Sequence, residues 1–276
     1  RAASVTPDQI ATLIYTSGTT GKPKGVELLQ GAWSYVSAAL RSLDVITIDD
    51  VQYLWLPMAH VFGSVLVAFQ IEVGYVTAVD GNVGKIMENL TAIKPTFMGA
   101  VPRIFEKLYA AMAAMAKAGG PEKEAGFAWG VDIGRQYEEA LLAGEEPSPE
   151  LAAQYEQANE LVLTPIRAAL GGNMRFFISG SAPLAPEVAQ FFAAAGMPVL
   201  EGYGLTETSA IVTISRPTSL KSGTVGEPHA GTEVMIADDG EIMVRSPAVM
   251  NGYRNQPEAN EEVFVDGWFA TGDIGE

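Results

Sequence analysis

Residues 10–25 read IATLIYTSGTTGKPKG, an apolar run followed at once by a segment rich in hydroxyls, glycines and lysines. A short apolar run that ends in turn residues predicts a buried strand, here residues 10–16. Glycines let backbone N–H groups approach a ligand closely, while the hydroxyls add donors and Lys22 and Lys24 add positive charge. We expect a helix at about 27–41 to follow this loop, and a helix N-terminus favours an anion. The segment therefore predicts a loop that binds phosphate.

The loop differs from the Walker A phosphate-binding motif, which has four residues between its first glycine and a Gly-Lys pair that precedes Ser or Thr. Here only two residues separate Gly18 from Gly21, and Pro23 follows Lys22. From these residues alone, an ordinary polar connection between a strand and a helix stays open as the alternative interpretation.

Composition narrows the class of protein. The chain has 276 residues, of which 48% are hydrophobic and 18% charged, so it can bury a sizeable core as one large domain or two smaller ones. The net charge of −16 disfavours a protein that binds nucleic acid by neutralising phosphates. The sequence has no cysteine, which excludes disulfides and thiolate sites and is compatible with a cytosolic setting. It contains no apolar run long enough for a transmembrane segment.

Strand and helix patterns alternate along most of the chain. After the first strand, apolar runs predict strands at 51–57, 76–80, 95–100, 174–180 and 198–204, and helices near 83–93, 102–117 and 185–195. Such alternation predicts an α/β domain with a largely parallel sheet. Because ligands of open α/β sheets bind at the carboxyl ends of the strands, we expect SGTTG, SGSAP and GYGLTE to cluster there.

Two stretches differ from this pattern. Residues 118–170 are rich in Ala and Glu and are broken at GEEPSPE, which predicts a helical excursion on the surface. From about residue 222 the sequence GTEVMIADDGEIMVRS predicts two strands joined by a turn at 237–240. We therefore expect an α/β core over 1–219 and a small β-rich subdomain over 220–276.

Four further motifs follow the loop in order: LPMAHVFG (56–63), ISGSAPL (178–184), GYGLTET (202–208) and WFATGD (268–273). Together with YTSGTTGKPKGV they resemble the signature of the adenylate-forming, or AMP-binding, enzymes, the superfamily of acyl-CoA synthetases, firefly luciferase and peptide-synthetase adenylation domains. Five ordered motifs span nearly the whole chain. The resemblance implies the α/β core of the N-terminal domain of these enzymes, with mostly parallel sheets flanked by helices.

The resemblance implies that the first loop holds the β- and γ-phosphates of ATP, a role that falls on Thr16, Ser17, Gly18, Thr19, Thr20, Gly21 and Lys24. In the GYGLTE motif, which includes Gly202 and Gly204, it places Tyr203 against adenine, Thr206 at the α-phosphate and Glu207 on Mg²⁺. A carboxylate is a suitable hard ligand for Mg²⁺, which often bridges to phosphate oxygens. Without this motif around it, Glu207 would be an ordinary surface charge.

The resemblance assigns three further parts of the site. Gly180, Ser181 and Ala182 would line the adenine through backbone atoms, and Asp273 would hold the ribose hydroxyls. His60 would lie beside the substrate carboxylate in a positioning role. A general base is not required there, because a carboxylic acid is already ionised near neutral pH. From local sequence alone, each of these assignments has a structural alternative. Residues 180–182 could be a turn before a helix, Asp273 a turn residue and His60 a structural histidine.

Three segments resemble long-chain fatty acyl-CoA synthetases more than acetate-type enzymes: FMGAVPRIFEKLY (97–109), FFISGSAPL and the helical excursion. Phe97, Val101 and the pair at 99–100 are candidates for an acyl tunnel, with core packing as the alternative. The resemblance implies that a fatty acid carboxylate attacks the α-phosphorus of Mg·ATP, and that coenzyme A then displaces AMP. ATP, Mg²⁺ and coenzyme A are thus the expected ligands, with a fatty acid as substrate.

The resemblance implies that members of this family have further residues both before and after the part that corresponds to this chain. An N-terminal portion precedes the phosphate loop, and a ribose-binding Arg motif, a hinge and a mobile C-terminal domain with a catalytic Lys follow the TGD motif. We therefore expect the chain to be part of a larger enzyme. A fatty acyl-AMP ligase, or another relative with a different acceptor, is an alternative within the enzyme class. A nucleotide-binding but non-catalytic fragment is the alternative outside it.

Overall fold

The computed structural model describes residues 4–16, 23–221 and 223–276 of the chain. Within these ranges, fourteen β-strands and nine α-helices alternate along the sequence. The strands are β1 (Ile10–Thr16), β2 (Lys24–Leu29), β3 (Val51–Leu54), β4 (Val76–Val79), β5 (Phe97–Ala100), β6 (Phe176–Ser179), β7 (Val199–Tyr203), β8 (Thr213–Ile214), β9 (Glu227–Pro228), β10 (Glu233–Ile236), β11 (Glu241–Arg245), β12 (Gly252–Tyr253), β13 (Phe264–Val265) and β14 (Trp268–Ile274).

The α-helices are α1 (Gln30–Arg41), α2 (Val61–Val73), α3 (Ile86–Ile93), α4 (Pro102–Ala118), α5 (Pro121–Leu142), α6 (Pro149–Ala158), α7 (Thr164–Ala169), α8 (Pro186–Ala194) and α9 (Pro257–Val263). Short 3₁₀ helices lie at Val83–Lys85 and Thr206–Thr208, and a π-helical segment, Asn159–Leu163, joins α6 to α7. Within the described ranges, no helix is both long and apolar enough to cross a membrane.

The largest sheet has seven strands in the order β4-β3-β5-β6-β7-β8-β9. Its first five strands run parallel, whereas β8 and β9 are antiparallel to their neighbours. Helices connect the successive parallel strands, as the alternating pattern predicts. The predicted α/β core with a largely parallel sheet is confirmed. Some strands are shorter than their apolar runs; the run at 51–57, for example, is a strand only to Leu54.

Helices cover both faces of this sheet. On one face, Leu66 of α2 approaches Gly99 so closely that a Cβ added to the glycine would lie 2.9 Å from Leu66. On the other face, the rings of Phe105 in α4 and Phe192 in α8 pack edge-on against Phe177 of β6, with centroids 5.4 and 5.1 Å away. Burial on both faces explains why these strands read as continuous apolar runs and not as alternating ones.

The first predicted strand lies outside the parallel sheet. β1 pairs antiparallel with β2, with Thr16 opposite Lys24, and β12 adds a third strand to this sheet. The prediction of a helix from residue 27 is wrong at its start, because β2 buries Val26 and Leu28 against β1 and α1 begins only at Gln30.

This pairing corrects two further expectations about the glycine-rich loop. The residues between Thr16 and Lys24 join two antiparallel strands, so the loop does not lead into a helix N-terminus. For the same reason SGTTG does not follow a strand of the parallel sheet, as we expected from the carboxyl-end rule. The expected helix N-terminus directly after the loop is therefore wrong, because β2 precedes α1.

The segment 118–170 is helical, as predicted, with a break at 143–148 between α5 and α6. Two glycines of α5 allow close packing against neighbouring helical segments. A Cβ added to Gly130 would lie 2.6 Å from Val162, and one added to Gly134 would lie 2.6 Å from a backbone oxygen of α8. Gly134 thus packs α5 against α8 of the core, and Gly130 packs it against the π-helical segment of the same excursion.

The third sheet has four antiparallel strands in the order β10-β11-β14-β13. β10 and β11 form the predicted hairpin, with Ile236 opposite Ile242 across the turn at 237–240. The neighbouring strands β9 and β12 belong to the other two sheets. The division of the chain at residue 219 stays a prediction, since strands on both sides of it share a sheet.

A buried carboxylate ties together the amino ends of three parallel strands. Asp50 precedes β3, is 2% exposed, and accepts hydrogen bonds of 2.6 and 2.8 Å from Arg175, which precedes β6. The hydroxyl of Thr96, which precedes β5, donates at 2.6 Å, and the backbone N–H of Thr47 donates at 2.8 Å. Although burial alone raises the pKa of Asp50, these hydrogen bonds together hold it below its ordinary value.

We predict that Asp50→Asn lowers the free energy of unfolding by about 2 kcal/mol, because an amide cannot accept the charge-assisted bonds and leaves its donors unsatisfied. The folded-state pKa of Asp50 is depressed, so its contribution is present above the unfolded pKa of 3.8 and is lost as pH falls through the folded pKa. Urea unfolding from about pH 3 to pH 7 measures both effects.

The exposed neighbour Asp49 supplies the matched control, Asp49→Asn, which should change stability little. The difference in the free energy of unfolding between wild type and Asp50→Asn should become smaller at acidic pH. A gap that stays constant across the pH range would contradict the role given to this carboxylate.

Candidate active site

The carboxyl ends of β6 and β7 bring two predicted motifs together. Gly180 follows the last residue of β6, and Gly202 lies in β7. A Cβ added to Gly180 would lie 3.6 Å from the backbone oxygen of Gly202 and 3.6 Å from the ring of Phe62. The segments SGSAP and GYGLTE therefore meet at one edge of the parallel sheet, as we expected from the carboxyl-end rule.

The loop after β6 has an uncommon backbone conformation. Ser181 and Ala182 are exposed, and Ser181 has a φ angle of +75°, in the left-handed region that residues other than glycine adopt infrequently. Such conformations are concentrated at active sites and ligand-binding loops. The contact of this loop with adenine stays a prediction.

Thr206 and Glu207 lie in a 3₁₀ turn after β7 and are 9% and 8% exposed. The hydroxyl of Thr208 accepts a hydrogen bond from the backbone N–H of Leu205 at 2.9 Å. The backbone N–H of Met250 donates to the carbonyl oxygen of Glu207 at 2.7 Å. The turn is thus fixed from two sides, and its burial excludes the interpretation of Glu207 as an ordinary surface charge.

Tyr253 of β12 connects this turn to the strand that follows the glycine-rich loop. Its hydroxyl donates a 2.9 Å hydrogen bond to Oε1 of Glu207. The ammonium of Lys24 lies 4.6 Å from the centroid of the Tyr253 ring, a cation–π contact. Burial raises the pKa of Tyr253, and the negative charge and hydrogen bond of Glu207 raise it further, so the phenol stays a donor.

Tyr253 is absent from the residues predicted from the sequence. The local sequence NGYRNQPE looks like a loop and carries no charge pattern that would indicate a site. The β-strand pattern of this region, combined with the rule that buried carboxylates need hydrogen-bond donors, is the signal that could have indicated Tyr253. The partner of that donor lies 46 residues away, so local reasoning could not identify it.

A second hydrogen bond joins two residues that the sequence assigns to the adenosine part of ATP. The hydroxyl of Tyr203 donates to Oδ2 of Asp273 at 2.8 Å, across 70 residues of sequence. Burial raises the pKa of the half-buried Tyr203, whereas Asp273 on β14 is exposed. The four-stranded sheet therefore contacts the seven-stranded sheet at the predicted adenosine site.

Two further predicted site residues, Thr16 and His60, lie in the described part of the chain. Thr16 lies opposite Lys24 at the base of the hairpin. His60 is exposed and caps α2, with its Nδ1 accepting from the backbone N–H of Phe62 at 3.3 Å. Its role beside a substrate carboxylate stays a prediction. Five residues with a predicted phosphate-binding role lie outside the described residues: Ser17, Gly18, Thr19, Thr20 and Gly21.

The chemistry of Glu207 fits a magnesium ion that is shared with phosphates. Among the described residues, no group of three or more His, Asp or Glu side chains is arranged to hold a metal. Mg²⁺ in nucleotide sites usually takes one or two protein carboxylates and completes its shell with phosphate oxygens and water. A single buried carboxylate with one oxygen hydrogen-bonded to Tyr253 meets that requirement.

An apolar cavity of about 40 Å³ lies between α2 and the parallel sheet, and its lining includes Phe62, whose ring is close to Gly180. Helix α2 and strand β6 contribute to its lining with Phe62, Leu66, Phe69, Phe176 and Ile178. The candidate tunnel residues Phe97 and Ala100 are fully buried, and Phe97 stacks on Phe176 with centroids 5.9 Å apart. The role of these residues in an acyl tunnel stays a prediction, and Val101 is half-buried.

The chain matches the sequence model of the AMP-binding enzymes over residues 1–254, and it belongs to that family. It is 39% identical over 287 residues to FadD15, a long-chain-fatty-acid–CoA ligase of Mycobacterium tuberculosis, a match that covers all of this chain and 46% of the relative. The predicted family and its resemblance to fatty acid–CoA ligases are thus confirmed.

Solved structures agree with the fold. A fatty acyl CoA synthetase of Mycobacterium tuberculosis aligns with a TM-score of 0.70 at 25% identity, over 100% of this chain and 47% of that one. The o-succinylbenzoate CoA synthetase (MenE) of Bacillus subtilis, solved with ATP and a magnesium ion, aligns with a TM-score of 0.69 at 25% identity, over 98% and 48%. The chain spans about half the length of these relatives.

We predict that Gly204→Ala lowers the free energy of unfolding by about 1–3 kcal/mol, as overpacking does in other well-packed sites. A Cβ at Gly204 would lie 2.2 Å from the backbone oxygen of Ala210, and a backbone atom cannot move aside as a flexible side chain can. Gly180→Ala is the matched control, since its nearest neighbours would be 3.6 Å away. Urea unfolding compares the two variants, and equal stabilities would contradict the packing described for Gly204.

Proposed function

We propose that the whole protein to which this chain belongs activates a fatty acid with ATP and transfers the acyl group to coenzyme A. The observation that carries this proposal is the cluster in which Tyr253 contacts both Lys24 and Glu207, next to Thr206 at the end of β7. The cluster supplies a cation, a hydroxyl and a buried carboxylate at one end of the predicted nucleotide site. The names of the relatives, which are fatty acid–CoA ligases, support the substrate class.

The phosphate end of the site positions ATP for attack. Lys24 supplies positive charge at the base of the hairpin, where Thr16 and the residues of the loop hold the β- and γ-phosphates. Thr206 contacts the α-phosphate, and Glu207 holds Mg²⁺. When bound, Mg²⁺ neutralises part of the phosphate charge. Catalysis at this end rests on positioning and on electrostatic stabilisation of the charge that develops on the phosphates.

In the proposed first step, an oxygen of the fatty acid carboxylate forms a bond to the α-phosphorus. The bond from that phosphorus to the oxygen bridging to the β-phosphate breaks, and pyrophosphate leaves with the electron pair. No proton has to be removed from the substrate, because a carboxylic acid is ionised near neutral pH. In the second step the thiol sulfur of coenzyme A forms a bond to the acyl carbon and gives up its proton to solvent. The bond from that carbon to the phosphate oxygen breaks, and AMP leaves with the electron pair.

The adenosine end is formed by residues from two sheets. Adenine packs against Tyr203 and the backbone of Gly180, Ser181 and Ala182, while Asp273 accepts hydrogen bonds from the ribose hydroxyls. The hydrogen bond from Tyr203 to Asp273 supports this assignment, since it holds the carboxylate beside the ring that would contact adenine. The backbone of Gly202 and Gly204 flanks Tyr203 in this part of the site, and both glycines pack closely against backbone atoms of Thr213 and Ala210.

The apolar cavity lined by Phe62, Leu66 and Phe69 of α2 supports an acyl group on the side of the site that faces this helix. Its volume of about 40 Å³ is small compared with ligand pockets of roughly 300–1,000 Å³. A long acyl chain therefore requires the lining side chains, Phe62 among them, to move on binding. We propose long-chain fatty acids on the strength of the relatives' names and this apolar lining.

ATP–pyrophosphate exchange in the presence of a fatty acid tests the adenylation step. We expect Thr206→Ala and Glu207→Ala each to lower the exchange rate about 100-fold, which is the scale of losing one preorganised group that stabilises transition-state charge. Thr91→Ala and Glu187→Ala remove the same functional groups at exposed helical positions and should leave the rate unchanged. Equal rates in all four variants would contradict the assigned site.

The products identify the acceptor. With fatty acid, ATP and coenzyme A, the whole protein should release acyl-CoA and AMP, which mass spectrometry detects. Acyl-AMP without a thioester would overturn the second step and favour a fatty acyl-AMP ligase. ATP binding without pyrophosphate exchange would favour a non-catalytic nucleotide-binding protein.

A further inference from the structure

Tyr253 contacts two groups of opposite charge through two different parts of its side chain. Its hydroxyl donates to the carboxylate of Glu207 at 2.9 Å, and its ring faces the ammonium of Lys24 at 4.6 Å. Tyr253 itself is only 7% exposed. In the described part of the chain, no ion pair joins Lys24 to Glu207, so each of them has Tyr253 as a neighbour in place of the other.

The backbone around Tyr253 holds the side chain in this place. β12 pairs with β2, with Tyr253 opposite Val26. Asn260 of α9 then clamps the residue, since its side-chain oxygen accepts from the Tyr253 N–H at 2.6 Å and its side-chain nitrogen donates to the Tyr253 carbonyl oxygen at 3.1 Å. The ring also packs in a buried apolar cluster with Ile14 and Met250. These contacts fix the ring between the hairpin and the turn after β7.

We propose that Tyr253 is a positioning residue that keeps Lys24 and Glu207 from pairing with each other, so that Lys24 stays available to phosphate and Glu207 to Mg²⁺. This inference rests on the proposed function. An ammonium and a carboxylate at a partly buried site attract strongly, and a direct pair would neutralise both of the groups that the site needs. The aromatic face satisfies the ammonium, and the phenol satisfies the carboxylate without supplying a competing charge.

The two contacts of Tyr253 predict different consequences for two substitutions. Tyr253→Phe keeps the ring in the apolar cluster and keeps its face toward Lys24, but it removes the hydroxyl that orients Glu207. Tyr253→Leu removes both contacts and allows Lys24 to approach Glu207. The first variant should therefore affect only the dependence of binding on Mg²⁺, and the second should also weaken the binding of ATP without metal.

Isothermal titration calorimetry of ATP, with EDTA and then over a series of Mg²⁺ concentrations, separates these effects in the whole protein to which this chain belongs. We expect Tyr253→Phe to leave metal-free ATP affinity unchanged and to raise the Mg²⁺ concentration at half-saturation about tenfold, the scale of losing a partner that orients a metal ligand. Tyr35→Phe is the matched control, because it removes another tyrosine hydrogen bond, of 2.6 Å to the carbonyl oxygen of Ala230, at a half-buried position.

A double-variant cycle tests whether Tyr253 acts through Glu207. In the Glu207→Gln background, Tyr253→Phe should cause no further change in the Mg²⁺ dependence. An unchanged half-saturation in Tyr253→Phe, or the same tenfold change in both backgrounds, would overturn the inference. If Tyr253→Leu unfolds, Lys24→Met replaces it and should weaken metal-free ATP binding without moving the Mg²⁺ half-saturation. An equal effect of Lys24→Met on both quantities would also overturn it.

The wild-type titration separates failure of this inference from failure of the proposed function. A wild-type whole protein that binds ATP neither with nor without Mg²⁺ would overturn both. A wild-type whole protein that binds Mg·ATP while its Tyr253 variants match it would overturn only the role of Tyr253.

Discussion

The buried carboxylate of Glu207 is the constraint on which the arrangement of the site depends. A charge that is 8% exposed is costly unless polar partners surround it, and the hydroxyl of Tyr253 supplies one of them. That hydroxyl belongs to β12, which in turn pairs with β2. One hydrogen bond thus places β2, the strand after the predicted phosphate-binding loop, beside the end of β7 in the parallel sheet.

A second long-range hydrogen bond, from Tyr203 to Asp273, places the four-stranded sheet beside the end of β7. The predicted phosphate end and the predicted adenosine end therefore each lie where two sheets meet. This explains why the motifs of the family are scattered from the first strand to the last. Each sheet contributes a few groups, and no single segment could hold a nucleotide alone. At the opposite ends of the parallel strands, Asp50 also joins distant segments by hydrogen bonds, but there the contacts serve only the stability of the fold.

The parallel core could be predicted because its information is local. Apolar runs such as PTFMGA and MRFFISG end in glycine or turn residues, and helical patterns separate them. The hairpin from β10 to β11 could be predicted for the same reason, since an Asp-Asp-Gly turn lies between its strands. Where propensity, turn chemistry and pattern agree, sequence reasoning identifies the element.

Sequence reasoning failed where the deciding partner is distant. The segment KGVELL is a strand only because β1 and β12 pair with it, and nothing within the segment distinguishes it from the start of α1. β12 has two residues, too few for any pattern. Tyr253 and the boundary near residue 219 depend on pairings across the chain. The resemblance predicts which residues form the site, whereas it does not predict the contacts that position them.

A crystal structure with a non-hydrolysable acyl-adenylate analogue tests the central claim most directly. The account predicts that adenine packs on Tyr203, that the ribose hydroxyls lie within hydrogen-bonding distance of Asp273, and that the group replacing the α-phosphate contacts Thr206. An analogue bound elsewhere, for example in the groove lined by Arg245 and Phe264, would contradict it.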